Sequence, residues 1–289
     1  MAAEVSARAR RSLLFVPGLR PERFDKALAS GADVVCVDIE DAVGLDFKAE
    51  ARALSLPLFA RAPQLGVECM LRINALSTRD GLRDLDAILS CDTPPPSLML
   101  PKLRSPDEIK LLDRLLTGKF ASIRYCVIVE TNEALEHAVA IAQASSRVDS
   151  MIMGGVDLSA DLRCAKEWEA LLYARSRLVH AAASAGIDLL DVPFLALDDE
   201  AGLAREAQGV ARLGFTGKAS IHPKQLPIIH AAFTPSAAEI AKAKKVIAAF
   251  EAAPAGLVVV EGELIELPVV RSMYRKLAVA QRIAARPVA

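Results

Sequence analysis

The sequence lacks the cysteine pairs, glycine-rich loops and long apolar runs that mark several large protein classes. Its five cysteines are odd in number and form no CxxC spacing, so neither a disulfide framework nor a zinc site is indicated. No GxGxxG follows the first apolar run, and no GxxxxGKS or GxxxxGKT occurs, so the usual loops that cradle dinucleotide or nucleotide phosphates are missing. No apolar segment approaches the ~20 residues that span a bilayer.

A strong net charge is also lacking. The chain has 35 basic and 36 acidic side chains and a formal charge of −1, which gives no global attraction to nucleic acid or to an anionic membrane. Basic residues precede the first apolar run, but Pro17 and Gly18 interrupt it, so we expect no secretory signal. These features predict a reduced, cytoplasmic protein without a nucleic-acid or membrane partner.

Eight short apolar runs recur along the chain, with helical patterns between them. Near-continuous apolar runs of this length are typical of parallel strands buried on both faces. The eight runs are SLLFVPG (12–18), ADVVCVDIED (32–41), ECMLRIN (68–74), SLMLPK (97–102), RYCVIVET (124–131), DSMIMGG (149–155), IDLLDVPF (187–194) and FTGKASIHP (215–223). The pattern predicts an α/β protein with a (β/α)8 TIM barrel, and an open doubly wound sheet is the alternative.

The composition changes after the eighth run. A capped helix, two β-like runs around Gly262 and a final helix predict a helix-hairpin-helix extension. We therefore predict a barrel domain over residues 1–234 and a C-terminal arm over residues 235–289. Such an arm would most simply pack against a neighbouring subunit of a homo-oligomer, a trimer or hexamer, or cover the barrel mouth.

Polar residues at the ends of the predicted strands are the candidates for chemistry. In a (β/α)8 barrel the loops after the strands meet at one end and form a shared pocket. This rule selects Asp38, Glu40, Asp41, Arg72, Asn74, Lys102, Glu130, Asp157 and His222. A solvated strand end is the alternative interpretation of Glu130.

Several carboxylates at one mouth would repel each other unless a positive charge lies between them. Glu130 and Asp157 lie on adjacent predicted βα units and can supply two oxygen ligands, leaving positions for water and a chelating substrate. Histidine and thiolate are scarce at these strand ends, which argues against zinc. The sequence therefore predicts a Mg2+ site with Glu130 and Asp157 as ligands.

Basic residues near the mouth suggest anion binding. Arg72 shares the strand face of Met70, and its planar fork suits capture of a substrate carboxylate; the alternative is that it neutralises structural acids. Arg20, Arg23 and Lys26 lie on or before the first predicted helix, where they could meet cofactor phosphates; a solvated basic face is the alternative.

In combination and order, these motifs resemble the citrate lyase beta-subunit-like proteins, within the group of 2-keto-acid aldolases and malyl-coenzyme A lyases. The resemblance spans nearly the whole chain and rests on SLLFVPG, VDIEDAV, LRIN, LMLPK, VIVET, GGVDL and GFTGKASIHPKQ. It implies a Mg2+-dependent carbon–carbon lyase that converts a malyl-, citramalyl- or citryl-type coenzyme A thioester into an acetyl thioester and a 2-keto acid, or the reverse. It also implies that Glu130 and Asp157 bind the metal, that Arg72 holds the substrate carboxylate, and that Glu40 lies near the metal's water shell.

Three positions depart from the family pattern. Relatives often carry an Asp in the C-terminal hairpin that reaches a neighbour's pocket, and this chain has Glu266 there. Val156 replaces an acidic residue before the metal-binding Asp, and Arg104 stands where PKxE is expected. Two alternatives therefore stay open: a metal-dependent aldolase acting on free 2-keto acids, and a non-catalytic metabolite-binding or assembly subunit.

Overall fold

The eight apolar runs form eight parallel strands that close into a barrel. A computed structural model describes residues 9–65, 67–253 and 257–285. The strands are β1 (Ser12–Pro17), β2 (Val34–Asp38), β3 (Glu68–Arg72), β4 (Ser97–Leu100), β5 (Arg124–Val129), β6 (Val148–Met153), β7 (Asp188–Asp191) and β8 (Gly217–Ser220). They follow one another in chain order around the barrel, and β8 returns to β1. The predicted barrel is confirmed, and the open-sheet alternative is wrong.

Helices connect the strands and continue into the C-terminal part. Those of the barrel are α1 (Phe24–Leu28), α2 (Lys48–Ser55), α3 (Arg79–Ser90), α4 (Pro106–Leu115), α5 (Asn132–Glu136), α6 (Ala138–Ala142), α7 (Gly155–Asp161), α8 (Trp168–Ala185), α9 (Glu200–Leu213) and α10 (Leu226–Phe233). α4 begins at the predicted N-cap: Ser105 accepts the Asp107 N–H, and Glu108 accepts the Ser105 N–H at 3.3 Å. In the described part of the chain, no helix is long and apolar enough to cross a membrane.

The barrel interior is filled by alternate residues of the strands. Successive side chains of a strand point to opposite faces, so one residue in two faces the barrel axis. The buried interior cluster consists of Leu13, Val34, Cys36, Met70, Met99, Cys126, Ile128, Ile152, Leu190 and Ala219. The same two-residue step continues from Cys36 to Asp38, from Met70 to Arg72 and from Ile128 to Glu130. The interior face therefore ends in charged side chains at the carboxyl end of the barrel.

A buried ionic network ties β7 and β8 to the surrounding helices. Lys218 neighbours the inward-facing Ala219 and is fully buried on the other face of β8. Its ammonium donates to Asp191 at 2.6 Å, to Glu206 of α9 at 2.5 Å and to the Val192 carbonyl at 2.6 Å. The fold tolerates this buried cation because each of its hydrogen-bond partners supplies a negative charge or the negative end of a dipole.

The C-terminal residues form a separate compact unit, and the chain divides between Ala232 and Phe233. This unit contains α11 (Ala237–Glu251), β9 (Val258–Val260), β10 (Glu263–Ile265) and α12 (Leu267–Ala284). β9 and β10 pair antiparallel, and Gly262 in the turn has a φ of +82°, which glycine adopts without strain. A small core of its own holds the unit together, formed by Val246, Ile247, Val260, Ile265 and Val270.

We expect Lys218→Met to lower the free energy of unfolding by about 3–5 kcal/mol, because the buried Asp191 and the partly buried Glu206 lose the ammonium that they share. Urea denaturation monitored by circular dichroism measures this loss. Lys110→Met is the matched control, since Lys110 is exposed and its pair with Asp107 is a surface contact of 2.9 Å. Equal stability losses in the two variants would contradict a supporting role for the buried network.

Candidate active site

Three inward-facing charges lie at the carboxyl ends of β2, β3 and β5. Asp38 and Arg72 are direct partners in the register of β2 and β3. Glu130 follows β5, and only 3% of it is exposed. The interpretation of Glu130 as a solvated strand end is therefore wrong.

Arg72 binds the carboxylates of the β2 end. Its Nε donates to Asp38 Oδ1 at 2.7 Å and its Nη2 donates to Asp38 Oδ2 at 2.5 Å, which is a two-bond fork. Its Nη1 lies 3.1 Å from Glu40 Oε2, and the guanidinium lies over the Phe15 ring at 5.2 Å. A substrate carboxylate would therefore meet an arginine whose Nε and Nη2 bind Asp38 and whose Nη1 lies beside Glu40.

Lys102 contacts Glu130 through its backbone and the carboxylates at the end of β2 through its side chain. Its backbone N–H donates to Glu130 Oε1 at 2.7 Å. Its ammonium donates to Glu40 Oε1 at 2.5 Å and to Asp41 Oδ1 at 3.1 Å. Lys102 has a φ of +53°, a left-handed conformation that non-glycine residues rarely adopt.

Glu130 is a carboxylate with too little compensation for its burial. Burial raises its pKa to about 8; the Lys102 N–H opposes this, and the charges of Glu40 and Asp157 add to it. Among the described residues, none of the ion pairs includes Glu130. The backbone of Gly154 packs against this side chain: a Cβ there would lie 2.4 Å from Glu130 Cβ and 2.7 Å from its Oε2. Glycine is therefore required beside Glu130.

Asp157 is the second predicted metal ligand. It lies in the first turn of α7, after β6, and is half-buried in the wall of the same cavity as Glu130. Across the part of the chain that the structure describes, no three His, Cys, Asp or Glu side chains are grouped as a metal cage. Glu130 and Asp157 thus offer carboxylate oxygens to this cavity, the ligand type that Mg2+ prefers together with water.

The cavity has a volume of about 840 Å³ and opens at the carboxyl end of the barrel. Asp38, Arg72, Glu130 and Asp157 line it together with apolar side chains, among them Phe15, Ile128, Val156, Val192 and Leu195. Val156 is 47% exposed and Leu195 is 56% exposed, although both are apolar. Large apolar side chains at the rim of a cavity are typical of a surface that a ligand covers.

The three predicted phosphate-binding residues are divided. Arg23 and Lys26 line the cavity. Arg20 is exposed, forms an ion pair with Glu22 at 2.6 Å, and is not among the residues that line the cavity.

The remaining candidates lie elsewhere or have structural partners. Asn74 is buried and its side chain donates to Ile39 O and to Asp84 Oδ2. Glu266 lies in the C-terminal unit, directly before α12, with an exposed side chain. The residues that line the cavity all belong to the barrel unit. The sequence rule selected Asp38 and Lys102 without a role, and the structure shows that they hold Arg72, Glu40 and Glu130.

A family model described as HpcH/HpaI aldolase/citrate lyase matches residues 11–223, which include β1 to β8 and the whole set of rim charges. The chain belongs to this family.

Individual members of the HpcH/HpaI aldolase/citrate lyase family match over most of their length. The chain is 32% identical to citrate lyase subunit beta of Leuconostoc mesenteroides subsp. cremoris over 285 residues, which is 94% of each protein. It is 32% identical over 290 residues to an L-malyl-CoA/beta-methylmalyl-CoA lyase of Cereibacter sphaeroides, covering 90% of this chain and 91% of that protein. The crystal structure of CitE from Mycobacterium tuberculosis, in complex with magnesium, acetoacetate and coenzyme A, is 31% identical. It superposes with a TM-score of 0.79, covering 96% of this chain and all of that chain.

The raised pKa of Glu130 predicts how stability depends on pH in this family member. In the folded state the Glu130 carboxyl stays protonated up to about pH 8, whereas in the unfolded chain it has the ordinary pKa of 4.5 and loses its proton at lower pH. The contribution of Glu130 to the free energy of unfolding is therefore most favourable below about pH 4.5, and it decreases as the pH rises from 4.5 to about 8. Without divalent metal, we expect Glu130→Gln to gain a few kcal/mol relative to wild type across this range.

Urea denaturation in EDTA at several pH values measures this difference. Glu133→Gln is the control, because Glu133 is exposed and contacts only Arg104, at 3.3 Å, among its ion pairs in the described chain. A stability difference between Glu130→Gln and wild type that stays constant from pH 4.5 to 8 would show that Glu130 ionises normally.

Proposed function

We propose that this protein is a Mg2+-dependent carbon–carbon lyase. Its substrate is a malyl-, citramalyl- or citryl-type coenzyme A thioester, and its products are an acetyl thioester and a 2-keto acid, or the reverse condensation occurs. The observation that carries the proposal is the pairing of buried Glu130 with Asp157 in the wall of one cavity. The relatives named as lyases and the CitE structure with magnesium, acetoacetate and coenzyme A support it.

The site fits a hard divalent cation. Burial raises the pKa of Glu130, within the described residues no ion pair includes it, and both candidate ligands offer oxygen atoms. Glu130 and Asp157 are the proposed ligands, with Glu40 near the cation's water shell. When bound there, Mg2+ supplies positive charge to the substrate oxygen that becomes the keto group.

The other residues of the site bind and orient the substrate. Arg72 is the proposed partner of the substrate carboxylate, and Asp38 fixes the orientation of its guanidinium. Arg23 and Lys26 offer positive charge to the coenzyme A phosphates. The apolar wall around Ile128 and Val192 excludes water from the acetyl enolate that forms when the bond breaks.

Cleavage also needs a base for the hydroxyl proton and an acid for the enolate. Glu40 is buried beside Arg72 and Lys102, and it is our candidate for moving one of these protons. Glu266 stays a proposal, as an acid delivered by the C-terminal arm of a neighbouring subunit.

We accordingly propose a cytoplasmic homo-oligomer, a trimer or hexamer, with the arm at the subunit interface. The five free cysteines are consistent with a cytoplasmic protein.

The other two functions are separable in one assay. An aldolase for free 2-keto acids would turn over without coenzyme A thioesters. A metabolite-binding subunit would bind thioesters and release no product. Val156 favours the latter, because it lines the cavity where relatives often carry an acidic residue.

We expect EDTA to abolish thioester cleavage and Mg2+ to restore it. We also expect Glu130→Gln to weaken Mg2+ binding by at least about tenfold, because one charged ligand is lost. Isothermal titration calorimetry with MgCl2 measures the affinity, and Glu133→Gln is the matched control. An unchanged Mg2+ Kd in a folded Glu130→Gln protein would reject the assigned ligand.

A further inference from the structure

Lys102 connects Glu130 to the carboxylates Glu40 and Asp41. It lies beyond β4, and it contacts Glu130 beyond β5 through its backbone and Glu40 and Asp41 beyond β2 through its side chain. Three strand ends therefore meet at one residue.

The backbone conformation of Lys102 does not itself require a lysine. A glycine would adopt a φ of +53° without strain and would offer the same N–H to Glu130. Lysine at this position therefore adds conformational strain, and what it adds chemically is the ammonium that Glu40 and Asp41 accept.

The charges around Glu40 show what the ammonium does. The Glu40 side chain is 6% exposed and lies between Lys102 Nζ at 2.5 Å and Arg72 Nη1 at 3.1 Å. Arg72 already binds Asp38 through its fork. Without Lys102, this buried carboxylate would share a single cation with Asp38, and a buried carboxylate without adequate compensation changes its position or its charge.

We infer that Lys102 is a positioning residue of this active site: its N–H orients Glu130, and its ammonium separately holds Glu40 in place for the reaction. This inference rests on the proposed function, since it assigns Glu40 to the chemistry. The two contacts are separable by experiment, because a side-chain substitution removes the ammonium and keeps the N–H.

The test combines Lys102→Met with Glu40→Gln in a double-mutant cycle. We expect Lys102→Met to lower kcat at least about tenfold with the thioester KM changed less than about threefold, because the substrate-binding groups are intact. In the Glu40→Gln background, the same substitution should lower kcat by less than about twofold. Isothermal titration calorimetry with MgCl2 and no substrate should give a Kd for Lys102→Met within about threefold of the wild-type value, because the backbone N–H that donates to Glu130 remains.

Lys102→Gly separates the ammonium from the backbone strain. Glycine keeps the N–H and relieves the strain, so we expect the same loss of kcat as in Lys102→Met; it also carries the test if the Met variant does not fold. Lys110→Met is the control for loss of an exposed lysine from α4, the helix that follows, and should keep wild-type kcat.

Three outcomes would overturn the inference in an active wild-type enzyme. They are equal kcat losses with and without the Glu40 carboxylate, wild-type kcat in Lys102→Gly, and an Mg2+ affinity as weak in Lys102→Met as in Glu130→Gln. If wild type itself cleaves no thioester, the proposed function fails, and the inference fails with it for that distinct reason.

Discussion

The site depends on one constraint, which is a carboxylate held out of water at the end of β5 without a cation of its own. Glu130 reaches this position because it continues the inward-facing series of Cys126 and Ile128, and the glycine at position 154 lets the next strand end pack against it. The backbone N–H of Lys102 donates a hydrogen bond to it. A buried carboxylate so placed takes up either a proton or a metal ion, and the cavity beside it offers Asp157 as a second oxygen ligand.

Arg72 and Lys102 contact the acids at the end of β2, and within the described ranges no ion pair includes Glu130. Arg72 binds Asp38 and approaches Glu40, and Lys102 binds Glu40 and Asp41. The guanidinium of Arg72 and the ammonium of Lys102 therefore lie with the carboxylates at the end of β2, while Glu130 and Asp157 line the cavity. This division fits the proposed function, in which the barrel mouth holds a cation at one place and orients a substrate carboxylate at another.

Much of the fold follows from the sequence because the signals are local and repeated. Eight apolar runs, each followed by a helical pattern, define a closed parallel barrel, and the two-residue step of a strand sends Arg72 and Glu130 to its inner face. The partners of these charges are less accessible to such reasoning. The two-residue step of a strand predicts which face a side chain lies on, but it does not predict which of several acids that side chain binds. The two hydrogen bonds from Arg72 to Asp38 could therefore not be predicted from the sequence. The positive φ of Lys102 has no sequence signal, since lysine seldom adopts it. The exposed ion pair of Arg20 with Glu22 depends on side-chain placement, which the sequence pattern does not give.

The central claim is that Glu130 and Asp157 together bind a divalent cation. Crystals of the protein soaked in MnCl2, with anomalous diffraction collected at the manganese edge, test it most directly, because Mn2+ replaces Mg2+ at oxygen sites and is located without ambiguity. We expect one strong anomalous peak within coordination distance, about 2.0–2.3 Å, of carboxylate oxygens from both residues. A peak bound by other residues, or the two carboxylates turned apart with no peak between them, would contradict the account.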